Sequence, residues 1–184
     1  MNKYYSQCWE DEWIDQHLNL SKQGVFVDLG CAYPAFLSNT AFLRDKGWTG
    51  AVLDANPIYI PEWSRIGWRM TNAILSNTSK TQFNYHREPT WSHISNEGPI
   101  LPAITINQFL EDNNISQIDL LSVDLEGAEY DVMRTLDWDK YKPAIIISEY
   151  ETVGKLDYRL SEYLDNKGYR MVHQTRYNFI HVIQ

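Results

Sequence analysis

Five short apolar runs in this chain each carry an acidic residue or an amide at or near the end. "VFVDLG" holds Asp28, "AVLDANP" Asp54, "WRMTNAIL" Asn72, "IDLLSVD" Asp124 and "PAIIISEY" Glu149. In "GVFVDLG" the apolar residues follow one another rather than alternating with polar ones. That pattern marks strands covered on both faces, as in a parallel sheet flanked by helices. Strands alternating with helices predict an α/β doubly wound sheet. Ligands of such sheets sit beyond the carboxyl ends of the strands, where the strand order reverses. The five polar residues therefore share one edge of the sheet, whereas random surface charge would scatter over both.

The segments between the runs are mostly helical. "SQCWEDEWIDQHLN" spaces Trp9, Trp13 and Leu18 as an amphipathic helix would, giving an N-terminal helical cap over residues 1–20. Ser38 to Lys46 reads as a helix stopped by Gly47, and Pro57 opens the next one. "TINQFLEDNN" is a helix with Thr105 at its N-cap, "EGAEYDVMRTLDW" follows the fourth strand, and "LDYRLSEYLDNKG" ends at Gly168. "YRMVHQTRYNFIHVI" reads as two strands joined near Thr175 to Asn178, so the mostly parallel sheet gains a C-terminal antiparallel hairpin strand at its edge. Residues 77–103 read as irregular, with three prolines and a candidate strand at "TQFNYH"; they form a substrate-side insertion in a single domain spanning 1–184.

Composition removes several classes of function. The net charge of −8 disfavours a nucleic-acid partner, whose phosphates need clustered Lys and Arg. Two cysteines, Cys8 and Cys31, make neither a disulfide framework nor a zinc spacing, which suits a reducing, cytoplasmic setting. No apolar stretch approaches the ~20 residues of a membrane span, and "MNKYYSQCWEDEW" lacks a signal-peptide core. The 7 Trp and 12 Tyr serve either an aromatic core or a pocket for a sugar or other ring-bearing substrate. Oligomeric state leaves no trace in the sequence.

The strand ends suggest chemistry. Asp54 follows Asp28 by 26 positions, at the end of the second strand, where a carboxylate accepts both hydroxyls of an adenosine ribose; the plainer reading is a turn aspartate before Pro57. Asp28 and Gly30 make the first turn, which lets the backbone approach a ligand and offers helix N-terminal amides. A nicotinamide fingerprint needs glycines two and five residues after Gly30, and Ala32 and Ala35 stand there. A phosphate-free adenosine ligand fits better, and S-adenosylmethionine is one. In "VDLEGAEYDV", Gly127 allows a sharp entry to a helix and Glu129 sits in its first turn, where the dipole favours it. Asp124 with Glu149 could hold a substrate hydroxyl, accept its proton, or bind a divalent metal. His93, in "PTWSHISNEGP", is either a general base on a lid or a solvated loop histidine; Trp91 and Tyr33 line the pocket or pack in the core. His86, His173 and His181 look structural.

The sequence also resembles the FkbM-type S-adenosylmethionine-dependent methyltransferases over nearly its whole length. The likeness rests on "SQCWED", "VFVDLGCAYPAFLSNT", "GWTGAVLDANP", "NAI" at 72–74, "IDLLSVDLEGAEYDVM" and "PAIIISEYE", in that order. It implies a class I methyltransferase fold and cofactor contacts at Asp28, Gly30, Cys31, Asn39, Asp54, Ala55, Asn56, Asn72, Ala73 and Asp124. It also implies O-methylation of a hydroxyl on a sugar, glycan or polyketide-like small molecule, with a non-catalytic binding module of the same fold as the alternative. Asp124 is then the first choice for proton removal or substrate orientation, with Glu126 and Glu149 in support and His93 as a further candidate. A Mg2+ ion held by Asp124 and Glu149 is the metal version. Two departures stand out. Tyr33 and Pro34 replace the family's usual glycine and frequent aspartate, and Pro34 has no N–H to offer. Asp54-Ala55 replaces the usual Glu-Pro.

Overall fold

Strands whose residues are buried on both faces build the centre of the sheet. The structure is a computed structural model that describes residues 3–77, 82–87, 92–95, 98–152 and 154–184. After helix α1 (Glu10–His17) come β1 (Val25–Leu29), α2 (Ala41–Asp45), β2 (Thr49–Asp54), α3 (Ile60–Arg65) and β3 (Met70–Asn72). Then follow β4 (Ile74–Leu75), β5 (Gln82–Arg87), β6 (Ser92–Ser95), β7 (Ile100–Ile104), α4 (Ile106–Asp112), β8 (Leu120–Val123) and α5 (Glu129–Met133). The chain ends with β9 (Ile145–Glu149), β10 (Glu151–Thr152), β11 (Lys155–Leu156), α6 (Arg159–Asn166), β12 (Tyr169–Gln174) and β13 (Asn178–Ile183).

The main sheet has seven strands in the order β12-β13-β9-β8-β1-β2-β3. β1 pairs in parallel with both β2 and β8, so the strand order reverses beside β1. Val27, Leu29, Leu121, Val123 and Ile146 meet Ile106, Phe109 and Leu110 of α4, Val132 and Met133 of α5, and Leu160 and Leu164 of α6. On the other face Phe26, Val52, Leu120 and Ile147 meet Ile14 of α1, Phe42 and Leu43 of α2, and Trp63 of α3. Each such side chain contributes about 1.5–3 kcal/mol by leaving water, which outweighs the weak propensity of helices this short.

The hairpin differs from the sequence expectation in position. β13, antiparallel to both β9 and β12, lies one place in from the edge, and β12 takes the edge. Burial explains the order: Asn178 to His181 are buried in succession, while β12 exposes Arg170, Met171 and Gln174. The stretch 77–103 is also more regular than expected. β5 and β6 form an antiparallel hairpin, and β5 pairs with β7, giving a second sheet in the order β4-β7-β5-β6. The third apolar run supplies both sheets, because it leaves the first after Asn72 and joins β7 at Ile74.

Several helices are shorter than their patterns because side chains claim the flanking backbone. Ser38 Oγ accepts from the N–H groups of Thr40 and Ala41, so the helix there starts at Ala41. Asp11 accepts from the N–H groups of Tyr5 and Ser6 and from the Ser6 hydroxyl, which folds residues 5–9 into a loop ahead of α1. The β10–β11 hairpin takes Leu156, which pattern alone assigned to the start of α6. Thr105 caps α4 as expected, accepting from the N–H of Gln108 at 3.1 Å.

Candidate functional site

A cavity of about 800 Å3 opens at the carboxyl ends of β1, β2, β8 and β9. This is the edge that the strand-end residues mark, beside the reversal of strand order at β1. Asp28, Asp54, Asp124 and Glu149 all line it. Gly30 and Cys31 follow β1, and both N–H groups bond to the carbonyl of Leu53 on β2. Gly30 has φ +82°, and a Cβ there would stand 1.7 Å from the carbonyl oxygen of Asp124. The close approach that requires this glycine is to the chain itself, and Gly30 also lines the cavity.

Asp54 organises the first loop. One carboxylate oxygen accepts from Ala32 N–H at 2.9 Å and the other from Asn56 N–H at 2.7 Å. Each oxygen keeps capacity for a second donor. Ala32 is held further by its carbonyl, which accepts from the Trp63 indole at 2.8 Å. Pro34 costs no bond visible here: its carbonyl accepts from Arg44 at 2.6 Å, and Tyr33, Phe36 and Leu37 line the cavity. Asp28 accepts from the Thr40 hydroxyl at 2.6 Å. Asn39 donates to Ser122 at 3.3 Å, and both line the cavity.

Ala55, Asn56 and Ala73 complete the β2 side. Asn56 is 2% exposed; its side-chain Oδ1 accepts from Ile58 N–H, and its Nδ2 has no partner among the described residues. Asn72 lies outside the lining. Its amide donates to the carbonyls of Asp54 at 2.9 Å and Ala55 at 2.8 Å, so it shapes the wall from behind.

The opposite side is acidic. Glu126 lines the cavity from the turn after β8, where Glu126 (φ 55°) and Gly127 (φ 98°) are both left-handed. A non-glycine residue held there stores strain, which other bonds must offset. Glu129 supplies them, as it accepts from the N–H groups of Leu125 at 2.7 Å and Gly127 at 3.1 Å. Carboxylate oxygens of Asp124, Glu129 and Glu149 lie within 4.8 Å of one another. Burial is the main cause that raises both Asp124 and Glu149, and their neighbouring carboxylates add to it. Burial likewise raises Asp28 and Asp54 to about 6 and Glu126 to about 7. Crowded carboxylates of this kind share protons near neutral pH.

His93 lies on β6, whose side chains fall outside the description, as does that of His86; Trp91 is outside the described residues. His181 is structural: fully buried, it pairs with the Ser161 hydroxyl at 2.9 Å, and burial lowers it to about 4. His173 stacks on Trp13 with ring centroids 4.4 Å apart. None of the described tryptophans lines the cavity; its aromatic lining is Tyr33, Phe36, Tyr59 and Tyr177. Gln7, Tyr59, Glu151 and Tyr177 are lining residues that sequence reasoning missed. No Lys, Arg or His belongs to the lining among the described residues.

This sheet, with one reversed strand next to its edge and a cavity over the strand ends, defines a class I methyltransferase fold. Residues 28–171 match the model of the Methyltransferase FkbM domain, and the chain belongs to the FkbM methyltransferase family. Among solved structures it is similar to a chain of the fibrillarin/Nop5p complex, with 9% identity and a TM-score of 0.53 over 97% of this chain and 81% of that one. That likeness is one of fold alone. A comparison with curated proteins found no match. Among the described residues, no helix is long and apolar enough to cross a membrane.

Proposed function

We propose that the chain is an S-adenosylmethionine-dependent O-methyltransferase acting on a hydroxyl of a saccharide or related small molecule. One observation carries this reading: the cavity gathers Asp28, Asp54 and Asp124 from three strand ends, and its described lining offers no cation. A pyrophosphate cofactor would meet repulsion there, whereas a sulfonium brings the missing positive charge. The volume, about 800 Å3, falls within the range of small-molecule sites.

In this reading Asp54 accepts the ribose hydroxyls with its remaining lone pairs, and the unpartnered Asn56 Nδ2 donates beside it. The sulfonium methyl is already electrophilic. The chain has to align acceptor oxygen, methyl carbon and sulfur, exclude water, and take the hydroxyl proton. Asp124 takes or orients that proton, with Glu149 and Glu126 tuning its charge and His93 as a further candidate. Asp124 and Glu149 are also the pair that would hold Mg2+, which would lower the hydroxyl pKa instead; loss of activity in EDTA separates the two versions. The aromatic lining suits the apolar faces of a sugar ring. Transfer of a labelled methyl group to members of a saccharide panel tests the proposal, and transfer to none of them while the cofactor binds favours the non-catalytic module.

A further inference from the structure

The stretch "SQCWED" is unexplained by the sites above, yet it is built with unusual care. Glu10 and Asp11 are both 0% exposed, and buried carboxylates are costly unless hydrogen bonds meet them. Here they are met. Asp11 gathers the N–H groups of Tyr5 and Ser6 and the Ser6 hydroxyl, and Glu10 accepts from Cys8 N–H at 2.9 Å. Glu10 also reaches across the chain, accepting from the Thr175 hydroxyl at 2.7 Å and the Asn178 amide at 2.9 Å. The last two residues close the turn between β12 and β13, with Thr175 N–H bonded to Asn178 carbonyl at 2.8 Å. One buried carboxylate therefore fixes two loops against each other. Each loop places one side chain on the cavity: Gln7 from the first and Tyr177 from the second.

Among the described residues no cation lines the cavity, so an anionic group on a ligand needs neutral donors. Most of the neutral side chains are committed. Asn39 donates to Ser122, and the Ser38 hydroxyl is left to donate to Thr40 Oγ1 at 3.5 Å, because the Thr40 hydroxyl donates to Asp28. Asn56 belongs to the β2 side with Asp54. The Gln7 amide and the Tyr177 hydroxyl make no hydrogen bond among the described residues; the Tyr177 carbonyl accepts from Tyr150 N–H after β9, and Glu10 ties the Gln7 loop to Asn178 on β13, four places along the sheet from the Asp54 strand. An adenosine seated on Asp54 would leave this end of the cavity to its tail.

We propose that Gln7 and Tyr177 form a neutral carboxylate clamp for the amino-acid tail of the cofactor, with Glu10 as the positioning residue that holds the two loops together. This rests on the cofactor reading above. Calorimetric titration of the full chain with two probes tests it: S-adenosylhomocysteine, which carries the tail, and 5′-methylthioadenosine, which does not. Gln7→Ala and Tyr177→Phe are each expected to weaken S-adenosylhomocysteine about tenfold, the loss of one hydrogen bond to a charged group, and to leave methylthioadenosine unchanged. Gln7 is exposed, so its replacement leaves the fold intact. Glu10→Ala should show the same selective loss and Glu10→Gln should restore binding in part, because the amide oxygen still accepts from Thr175 and Asn178 whereas the amide nitrogen no longer accepts from Cys8 N–H. Unchanged S-adenosylhomocysteine affinity in the Gln7 and Tyr177 variants, or equal weakening of both probes, overturns the clamp alone. Wild-type protein that takes up neither probe overturns the cofactor reading and the clamp with it.

Discussion

Gly30 and Asp124 cross so tightly that a β-carbon on the glycine would overlap the aspartate carbonyl oxygen, at 1.7 Å. The crossing fixes the ends of β1 and β8 side by side, and Asp124 N–H bonds to the Leu29 carbonyl at 2.9 Å. Gly30→Ala would meet backbone rather than a pliable side chain, in a left-handed conformation as well. The variant is expected to lose about 4 kcal/mol or more, read as a melting temperature about 10 °C lower or as loss of soluble protein. Wild-type stability would contradict the crossing.

The acid-lined cavity makes the ligand-free protein sensitive to pH. Asp28 and Asp54 stand at about 6 and Glu126 at about 7, above their usual values of about 3.9 and 4.3. Groups raised by folding contribute stability that is fully present below their unfolded values and lost as pH rises through the folded ones. His181 works in the opposite sense: lowered to about 4, its contribution is present above about 6.5 and lost as pH falls. Between pH 8 and 6.5 the carboxylates dominate, so the melting temperature should rise as pH falls across that window. Glu126→Gln should flatten the slope. A melting temperature that falls over the same window would contradict the crowding.

Binding should release protons. A sulfonium favours the ionised form of the carboxylates that surround it. S-adenosylmethionine is therefore expected to bind more tightly at pH 8 than at pH 6, with a steeper dependence than neutral-sulfur S-adenosylhomocysteine. Titration in two buffers of different ionisation enthalpy counts the protons, and identical pH slopes for the two ligands would argue against a charge-selective cavity.

The cap on α4 gives a calibration away from the site. Thr105→Ala removes the acceptor for Gln108 N–H and should cost about 1 kcal/mol without changing ligand affinity. Equal stability of the variant would mean that the bond contributes nothing.

The strand ends were legible because burial on both faces leaves a continuous apolar run, and a carboxylate at its end has only the open edge to occupy. Asp28, Asp54, Asp124 and Glu149 were found that way and do line one cavity. The Thr105 cap was legible because its signal is local. Asn72 was harder: its spacing places it at a strand end, but spacing does not say that its amide would turn to the carbonyls of Asp54 and Ala55. Tyr177 gave no local signal, and Gln7 only its place in the "SQCWED" motif. They reach the cavity through Glu10 bonds to residues more than 160 positions away, and such a contact exists only once the fold does. The insertion was read only in part: "TQFNYH" marked the strand that is β5, but its pairing partners β6 and β7 lie in stretches whose own pattern is irregular.

The most direct measurement is calorimetric titration of the wild-type protein and of Asp54→Asn with S-adenosylhomocysteine. Saturable uptake of one equivalent by the wild type is expected, with affinity at least about tenfold lower in the variant, where a carboxylate acceptor becomes an amide. No uptake by the wild type, or equal affinity in the two proteins, would contradict an adenosyl ligand seated on Asp54.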